Sequence, residues 1–196
     1  MNSQEDYFLF EFLSKLGFHS RTIQELKQNL YHTGKIYESN KEWKAYVDRG
    51  KIIINKTSSD LGSQEIEISE EQGLILFNNV CFKIRRIIKI PNEKFDIPHS
   101  QNIATLDYEK IKFPLILRAW QAGDSIKPLG MKGMSKKIQD IFTDKKVALP
   151  NKKNSMMLVS NKEIIWLVNQ CISETVKVTN NTKSMLQIEC IEDHDF

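Results

Sequence analysis

The feature that most constrains this chain is a series of short apolar segments that alternate with polar residues and are separated by turn residues. After Gly34 these segments are KIYES, WKAYVD and KIIINK, with Asp48-Arg49-Gly50 between the last two. A period of two residues is typical of half-buried β-strands, and a glycine-containing turn between two such runs is typical of a hairpin. The sequence therefore predicts antiparallel strands joined by turns.

The same pattern continues to the end of the chain. Further strands are predicted at residues 66–68, at LILF and VCFKIRRIIKI around the turn Asn78-Asn79, at 103–106, at 113–117, at 156–159 and 164–168 around the turn Asn161-Lys162, and at 185–191. Two polar segments, residues 56–64 and 91–101, contain serine or proline and are predicted to be loops or linkers.

The first 32 residues have a helical period instead. One predicted helix carries an apolar face at spacings of one, three and four residues, formed by Phe8, Leu9, Phe12, Leu13 and Leu16. Gly17 ends this helix, and a second helix follows with Ile23, Leu26 and Leu30 on one side. Two helices this short need further partners to bury their apolar faces.

Together these elements predict an α+β fold. A small helical and β N-terminal domain is followed by a mixed α/β C-terminal domain with antiparallel strands and one main helix. The predicted boundaries are 1–60 for the helical domain with short strands, 61–108 for a β-rich connecting region and 109–191 for the C-terminal domain.

Composition narrows the class of protein. The hydrophobic content of 40% is sufficient for a sizeable core. No apolar run approaches the ~18 residues of a membrane span, and no signal-peptide pattern opens the chain, so a cytoplasmic protein without a membrane partner is expected. Three cysteines without a CxxC motif predict buried free thiols instead of a disulfide framework or a zinc site.

Charge is distributed unevenly along the chain. Residues 110–183 contain 14 Lys and Arg against 5 Asp and Glu, a net charge of +9, whereas the remainder contains 14 against 20, a net charge of −6. A basic half beside an acidic half indicates a polyanionic partner for the basic half. A charge imbalance spread over the whole surface, with no ligand, is the alternative.

The stretch RAWQAGDSIKPLGMKGMSKKIQDIFTDKK, residues 118–146, combines an aromatic residue, glycines, a proline and several lysines. Ser135 is predicted to cap a helix whose first residues are Lys136 and Lys137 and whose apolar face includes Ile138. Lysines are unfavourable at a helix N-terminus unless an anion is bound there, so the pattern predicts a phosphate site. A solvated lysine face neutralised by nearby aspartates is the alternative.

Other residues of the stretch have two interpretations each. The planar guanidinium of Arg118 suits bidentate phosphate binding. Trp120 suits either stacking on a nucleobase or plugging the core, and Asp124 suits either orienting a cation or forming an Asx turn. No metal-ligand spacing, nucleophile elbow or P-loop is present, so the residues themselves indicate binding and not catalysis.

The stretch resembles the C-terminal signature of bacterial tRNA(Ile)-lysidine synthetases. The shared pattern is Arg-x-Trp-x-x-Gly-Asp, then Pro-x-Gly-Met-x-Gly, then Lys-Lys and a helix that ends before a basic pair. Upstream LDYEKIKFPLILR and downstream IIWLVNQCISETVKVTNNTKSML extend the resemblance over residues 106–186. The N-terminal FEFLSKLGFHSRTIQELKQNL, with TGKIYES and YVDRGKIIINK, resembles the substrate-binding region of the same family.

The resemblance implies a function in tRNA modification. The family is a ligase that uses ATP to join L-lysine to C2 of the wobble cytidine of tRNA(Ile) with a CAU anticodon. Its adenylating domain carries a Ser-Gly-Gly-x-Asp-Ser loop that this sequence lacks, so the resemblance implies a tRNA-binding fragment with no catalytic residue and no ATP site of its own.

The resemblance also implies that the C-terminal domain grips the acceptor stem while the region before it supports the body of the tRNA. The tRNA-binding residues that it implies, together with the basic residues beyond the helix, are Arg118, Trp120, Lys127, Lys132, Lys136, Lys137, Lys145, Lys146, Lys152 and Lys153.

Two other functions remain open at this point. The chain is alternatively a stand-alone RNA-binding module, or a protein-interaction domain whose basic face meets an acidic partner. The sequence also leaves open whether the chain forms a homodimer.

Overall fold

The computed structural model describes residues 3–56, 64–69, 71, 73–78, 80–90 and 97–192. Its α-helices are α1 (Ser3–Lys15), α2 (Ser20–Gln28), α3 (Ile138–Asp144) and α4 (Leu149–Lys153). Its strands are β1 (Ile36–Glu38), β2 (Trp43–Asp48), β3 (Lys51–Lys56), β4 (Glu65–Ile68), β5 (Gly73–Phe77), β6 (Val80–Ile88), β7 (Ile103–Asp107), β8 (Leu115–Ala119), β9 (Ser125–Ile126), β10 (Lys136–Lys137), β11 (Met156–Ser160), β12 (Glu163–Leu167), β13 (Cys171–Ile172) and β14 (Ser184–Glu192).

The chain forms two compact units. The first is Met1–Leu61 with Val147–Asn154, and the second is Gly62–Lys146 with Ser155–Phe196. The predicted α+β class, with N-terminal helices followed by β-rich parts, is confirmed. The division at residues 60 and 108 stays a prediction.

In the first unit, α1 and α2 pack on the antiparallel sheet β1-β2-β3. Leu13, Ile23 and Leu26 are fully buried against strand residues such as Ala45 and Val47. The hairpin between β2 and β3 turns at Arg49 and Gly50, which have φ of 48° and 76°. The predicted hairpin at Asp48-Arg49-Gly50 is therefore confirmed.

The predicted apolar face of α1 is wrong for two of its members. Leu13 is fully buried, but Phe8 and Phe12 are 72% and 45% exposed. The apolar stripe of this helix is wider than the surface that α2 and the sheet cover, because only the side carrying Leu9, Leu13 and Leu16 faces the core.

In the second unit, two antiparallel sheets face each other. Their strand orders are β13-β12-β11-β8-β4 and β5-β6-β14-β7. Phe82 of β6 meets Trp166 of β12 edge to face, with ring centroids 6.4 Å apart, at the centre of the shared core. Side chains from both sheets are buried here, which is the arrangement expected of a β-sandwich.

The two-residue turn Asn161-Lys162 joins β11 to β12, as the sequence predicts. Three other predictions fall wholly or partly outside the described residues: the linker at 56–64, the turn Asn78-Asn79 and the loop at 91–101. No helix in the described part of the chain is long and apolar enough to cross a membrane.

The sandwich core makes a direct stability prediction. Leu158 of β11 is 1% exposed, so Leu158→Ala removes buried methyl groups and leaves a cavity, which lowers the free energy of unfolding by about 3 kcal/mol. Leu74→Ala is the control, because Leu74 is 71% exposed and its replacement should change stability by less than about 0.5 kcal/mol. Urea unfolding measures both variants. Equal losses would mean that Leu158 is not part of a packed core.

Candidate nucleic-acid interface

The lysine-rich stretch folds as a β-hairpin followed by a short helix. Lys136 pairs with Ile126 and Lys137 with Ser125 in antiparallel register, and residues 127–135 between them form what we call the lysine loop. The Ile138 N–H donates to the Asp124 carbonyl at 2.9 Å, which carries the pairing up to the first residue of α3.

The prediction that Ser135 caps a helix beginning at Lys136 is therefore wrong. Lys136 and Lys137 belong to β10, and α3 begins at Ile138 with Lys137 in the capping position and no side-chain capping bond. The strand forms because Ile126 and Ile138 are both buried, at 2% and 0% exposure, and hold the two sides of the hairpin base in the core. The two lysines consequently lie in a strand, and only Lys137 adjoins the N-terminus of α3.

The lysine loop is fixed on one side by backbone contacts with residues 172–174. Pro128 forms a β-bridge with Ser173, and the Leu129 N–H donates to the Ile172 carbonyl at 3.0 Å. The Gly130 N–H donates to Glu174 Oε2 at 2.7 Å, and the Glu174 N–H donates to the Lys127 carbonyl at 2.8 Å. These contacts attach the base of the loop to the sandwich.

Glu174 has a second partner in Lys177, with which it forms an ion pair. The hydrogen bond from Lys177, followed by that from the Gly130 N–H, lowers the pKa of the Glu174 carboxyl below its ordinary value. Glu174 is therefore ionised at neutral pH and available to hold the loop. Sequence reasoning did not single out Glu174, although it lies in the quoted segment ISETVKV.

Arg118 is engaged by Asp124 in a bidentate ion pair. Its Nη1 and Nη2 donate to Asp124 Oδ2 and Oδ1, both at 2.8 Å, and Nη1 also donates to the Ala119 carbonyl. The Gln121 N–H donates to the same carboxylate at 2.7 Å. The two side chains are only 18% and 13% exposed, so the pair closes the turn after β8.

Asp124 thus combines the two roles that its sequence position suggested, because it orients a cation and accepts a backbone N–H within a turn. Burial opposes ionisation of its carboxyl, but the hydrogen bonds from Arg118 and Gln121 and the charge of Arg118 outweigh burial and lower the pKa. The guanidinium fork that suits phosphate is occupied within the protein.

Trp120 packs against α3. Its ring meets Phe142 edge to face, with centroids 5.3 Å apart, and the side chain is half-buried. This contact corresponds to the packing interpretation of Trp120.

The remaining predicted lysines fall into three groups. Among the described residues, no side-chain hydrogen bond or ion pair involves Lys132 or Lys137, and both are exposed. The next group is engaged within the protein. Lys127 pairs with Glu163 at 3.4 Å, Lys136 pairs with Asp144, and Lys145 donates to the Gln170 carbonyl at 2.8 Å. Lys146 has a partner as well. Lys152 and Lys153 lie on α4 in the first unit.

Lys132 has an unusual backbone conformation. It lies between Gly130 and Gly133 with φ of 50°, and the two glycines have φ of 89° and 82°. Glycine tolerates this left-handed region, whereas a lysine there is strained. The loop therefore turns sharply and presents Lys132 to solvent.

A small cavity adjoins the lysine loop, and sequence reasoning did not predict it. Its volume is about 160 Å³, and it is lined by Ser125, Ile126, Lys127, Ser135, Lys162, Glu163, Ile164 and Ser173. Only Lys127 among these was predicted as a site residue. The sequence assigned Lys162 to a hairpin turn, and no motif marked its neighbour Glu163. Within the described ranges, no cluster of three or more His, Cys, Asp or Glu is placed to hold a metal ion.

Comparisons with known proteins indicate the same family for both units. The family model described as TilS substrate binding domain matches residues 2–57, and that described as TilS substrate C-terminal domain matches residues 115–190. The tRNA(Ile)-lysidine synthase of Bacteroides thetaiotaomicron is 30% identical over 183 residues, and that of Clostridium perfringens is 32% identical over 142 residues.

These alignments cover 91% and 72% of this chain but only 38% and 30% of the two relatives. The chain therefore spans well under half the length of the relatives it matches. A solved structure described as that of the TILS C-terminal domain aligns over 67% of this chain and 100% of its own length, with a TM-score of 0.54 and 15% sequence identity. That likeness concerns the fold alone.

The Arg118–Asp124 pair yields a pH-dependent prediction. Asp124→Asn weakens a mostly buried ion pair and should lower the free energy of unfolding at pH 7 by about 2 kcal/mol. Because the folded-state pKa of Asp124 is lowered, its contribution is present above the unfolded pKa of about 3.9 and is lost as pH falls through the folded pKa. The difference between wild type and variant, measured by urea unfolding, should therefore shrink below about pH 4.

Asp140→Asn is the matched control, because Asp140 is an exposed carboxylate in the first turn of α3 and should contribute less than about 1 kcal/mol. Equal losses in the two variants would contradict the role of Asp124, as would a loss at Asp124 that does not depend on pH.

Proposed function

This chain belongs to the tRNA(Ile)-lysidine synthase (TilS) family, as its substrate-binding and C-terminal domains, and we propose that it is the tRNA-binding portion of such an enzyme. In this proposal the whole enzyme uses ATP to join L-lysine to C2 of the wobble cytidine of tRNA(Ile) with a CAU anticodon. The second unit grips the acceptor stem, and the first unit supports the body of the tRNA.

The observation that carries the proposal is the exposed cationic surface formed by the lysine loop and the adjoining strand β10. Lys132 and Lys137 extend into solvent with no partner among the described residues, within a segment of net charge +9. Unpaired lysines on the fixed loop and on β10 leave their positive charge uncompensated for an external anion, and a nucleic acid supplies a row of phosphates. Contacts with Ser173 and Glu174 support this function, because they hold the loop in place before the RNA binds.

The proposal assigns different tasks to the residues that the sequence singled out. Arg118 and Trp120 hold the frame behind the loop, because their polar and aromatic groups are used by Asp124 and Phe142. The phosphate contacts come from Lys127, Lys132, Lys136, Lys137, Lys145 and Lys146. Lys152 and Lys153, which lie in the first unit, are proposed to contact the tRNA separately.

ATP and L-lysine would act in another part of the enzyme. The adenylating loop Ser-Gly-Gly-x-Asp-Ser does not occur in this sequence, and the curated relatives are more than twice the length that the chain covers. In this proposal the chemical step belongs to a region of the enzyme that lies outside this sequence. The enzyme acts in the cytoplasm, where its tRNA substrate is found.

A charge-matched pair of variants tests the RNA-binding role. Lys132→Gln with Lys137→Gln removes two positive charges, one from the loop and one from β10, whereas Lys83→Glu makes the same change in net charge at an exposed position of β6. If about six phosphates are contacted, the log–log salt slope of wild-type tRNA binding lies between about −4.2 and −5.4, at roughly −0.7 to −0.9 per phosphate. The double variant should reduce its magnitude by about 1.8, and Lys83→Glu should leave it unchanged.

Filter binding or fluorescence anisotropy with a tRNA(Ile) transcript measures these slopes. Equal effects of the two variants would mean that only net charge matters, and a flat salt dependence would contradict an RNA-binding function. A chain that binds an acidic protein but not tRNA would favour a protein-interaction domain.

Genomic sequence upstream of Met1 separates a synthase from a stand-alone RNA-binding module. The proposal predicts a Ser-Gly-Gly-x-Asp-Ser motif in the same reading frame, within a few hundred codons. An in-frame stop codon directly upstream would contradict the assignment to a synthase while leaving RNA binding intact.

A further inference from the structure

The cavity beside the lysine loop has the size of one small chemical group. Its volume of about 160 Å³ is below the roughly 300–1,000 Å³ of sites that hold drug-sized ligands. A phosphate with an attached sugar ring fits this scale, whereas a complete nucleotide with its base requires more room. β9, the lysine loop and the start of β12 form the walls.

The lining combines two lysines, one carboxylate and three hydroxyl groups. Lys127 and Glu163 form an ion pair at 3.4 Å, whereas Lys162 is exposed and has no partner among the described residues. The hydroxyls of Ser125 and Ser135 lie on exposed residues, and Ser173 is buried and bonded to its neighbour Thr175. A site for a bare anion gains nothing from a carboxylate, because the like charge repels the ligand. Glu163 therefore points to a ligand that also carries hydroxyl donors.

The backbone at Lys162 supports a role for its side chain. Asn161 and Lys162 have φ of 46° and 69° and form the two-residue turn between β11 and β12. In such hairpins the second position is typically glycine, because a residue with a Cβ is strained there. Strain at a non-glycine residue is often found at functional sites. Lys162 thus occupies a position that its backbone disfavours, at the rim of the cavity.

We propose that this cavity binds one ribose–phosphate unit of RNA, with Lys162 and Lys127 contacting the phosphate and Glu163 accepting a hydrogen bond from a ribose hydroxyl. The proposal rests on the RNA-binding function proposed above and adds a way to distinguish RNA from DNA. DNA lacks the 2′-hydroxyl, which is the group that allows a protein to make this distinction. No bond is made or broken at the site.

Two glycine substitutions in one turn separate a binding role of Lys162 from a structural one. Lys162→Gly relieves the backbone strain but removes the cation, whereas Asn161→Gly relieves strain at the neighbouring position and retains the cation. Both variants of the full chain should unfold at a midpoint equal to or above that of wild type.

With an unmodified tRNA(Ile) transcript as the probe, Lys162→Gly should weaken binding roughly three- to tenfold and reduce the magnitude of the salt slope by about 0.9. Asn161→Gly should change neither quantity. Equal affinities of the two variants for tRNA would overturn the role of Lys162, provided that wild type binds. No binding by wild type would instead overturn the proposed function itself, so the two failures are distinguishable.

The role of Glu163 is tested by comparing RNA with DNA of the same sequence. Glu163→Ala should weaken binding of the tRNA(Ile) transcript several-fold and leave binding of the DNA unchanged or stronger, so the preference for RNA falls. If Glu163 only neutralises Lys127, the substitution strengthens binding of RNA and DNA alike, and the ribose contact is overturned.

A free nucleotide offers the same ribose–phosphate chemistry and therefore requires a separate binding experiment. Direct binding of AMP to wild type and to Lys162→Gly distinguishes the two sources. If AMP at millimolar concentration binds wild type and this binding is lost in Lys162→Gly while tRNA binding is not, the cavity serves a nucleotide and the RNA proposal is overturned. Weaker tRNA binding by Lys162→Gly, with no binding of AMP to wild type, supports the RNA proposal.

Discussion

The burial of two β-sheets against each other is the constraint on which the second unit depends. Each sheet presents one apolar face, and Phe82 and Trp166 meet at the centre of the core that these faces form. An apolar face of this kind is stable only when another layer covers it. The sandwich therefore fixes where β11 ends and β12 begins, which places the Asn161-Lys162 turn. The lysine loop joins the short strands β9 and β10 and is attached to the sandwich through residues 172–174. The basic surface is a consequence of how the core closes.

Some charged side chains of this unit are paired within the protein, and others are exposed to solvent. Arg118 and Asp124 neutralise each other in a mostly buried pair, and Glu174 accepts a backbone N–H of the loop while pairing with Lys177. These groups position the chain. Lys132 and Lys137 remain exposed without partners among the described residues, so their charge acts outward. A loop with a fixed base and exposed cations can meet a polyanion without first being ordered, which lowers the entropic cost of binding.

The sequence predicted the strands well because alternation with turn residues directly reflects burial of one face of a sheet, as at the hairpin β2-β3 and the hairpin β11-β12. It failed where tertiary contacts override local preference. The residues Ser135, Lys136 and Lys137 predict the start of a helix, but pairing with Ser125 and Ile126 places the two lysines in a strand. The guanidinium of Arg118 suits phosphate binding in the sequence, but in the structure it is paired with the carboxylate of Asp124, six positions along the chain. The cavity involves residues far apart in sequence, such as Ser125 and Lys162, so no local pattern could show it.

The central claim is that tRNA binds at the lysine loop and the adjoining β11–β12 turn. Hydrogen–deuterium exchange of the full chain, with and without a tRNA(Ile) transcript, tests this claim most directly because it reports protection along the whole backbone. The account predicts slower exchange in residues 127–137 and 160–163 when tRNA is present, with β5 and β6 unchanged. Protection confined to other segments, with these two unaffected, would contradict it.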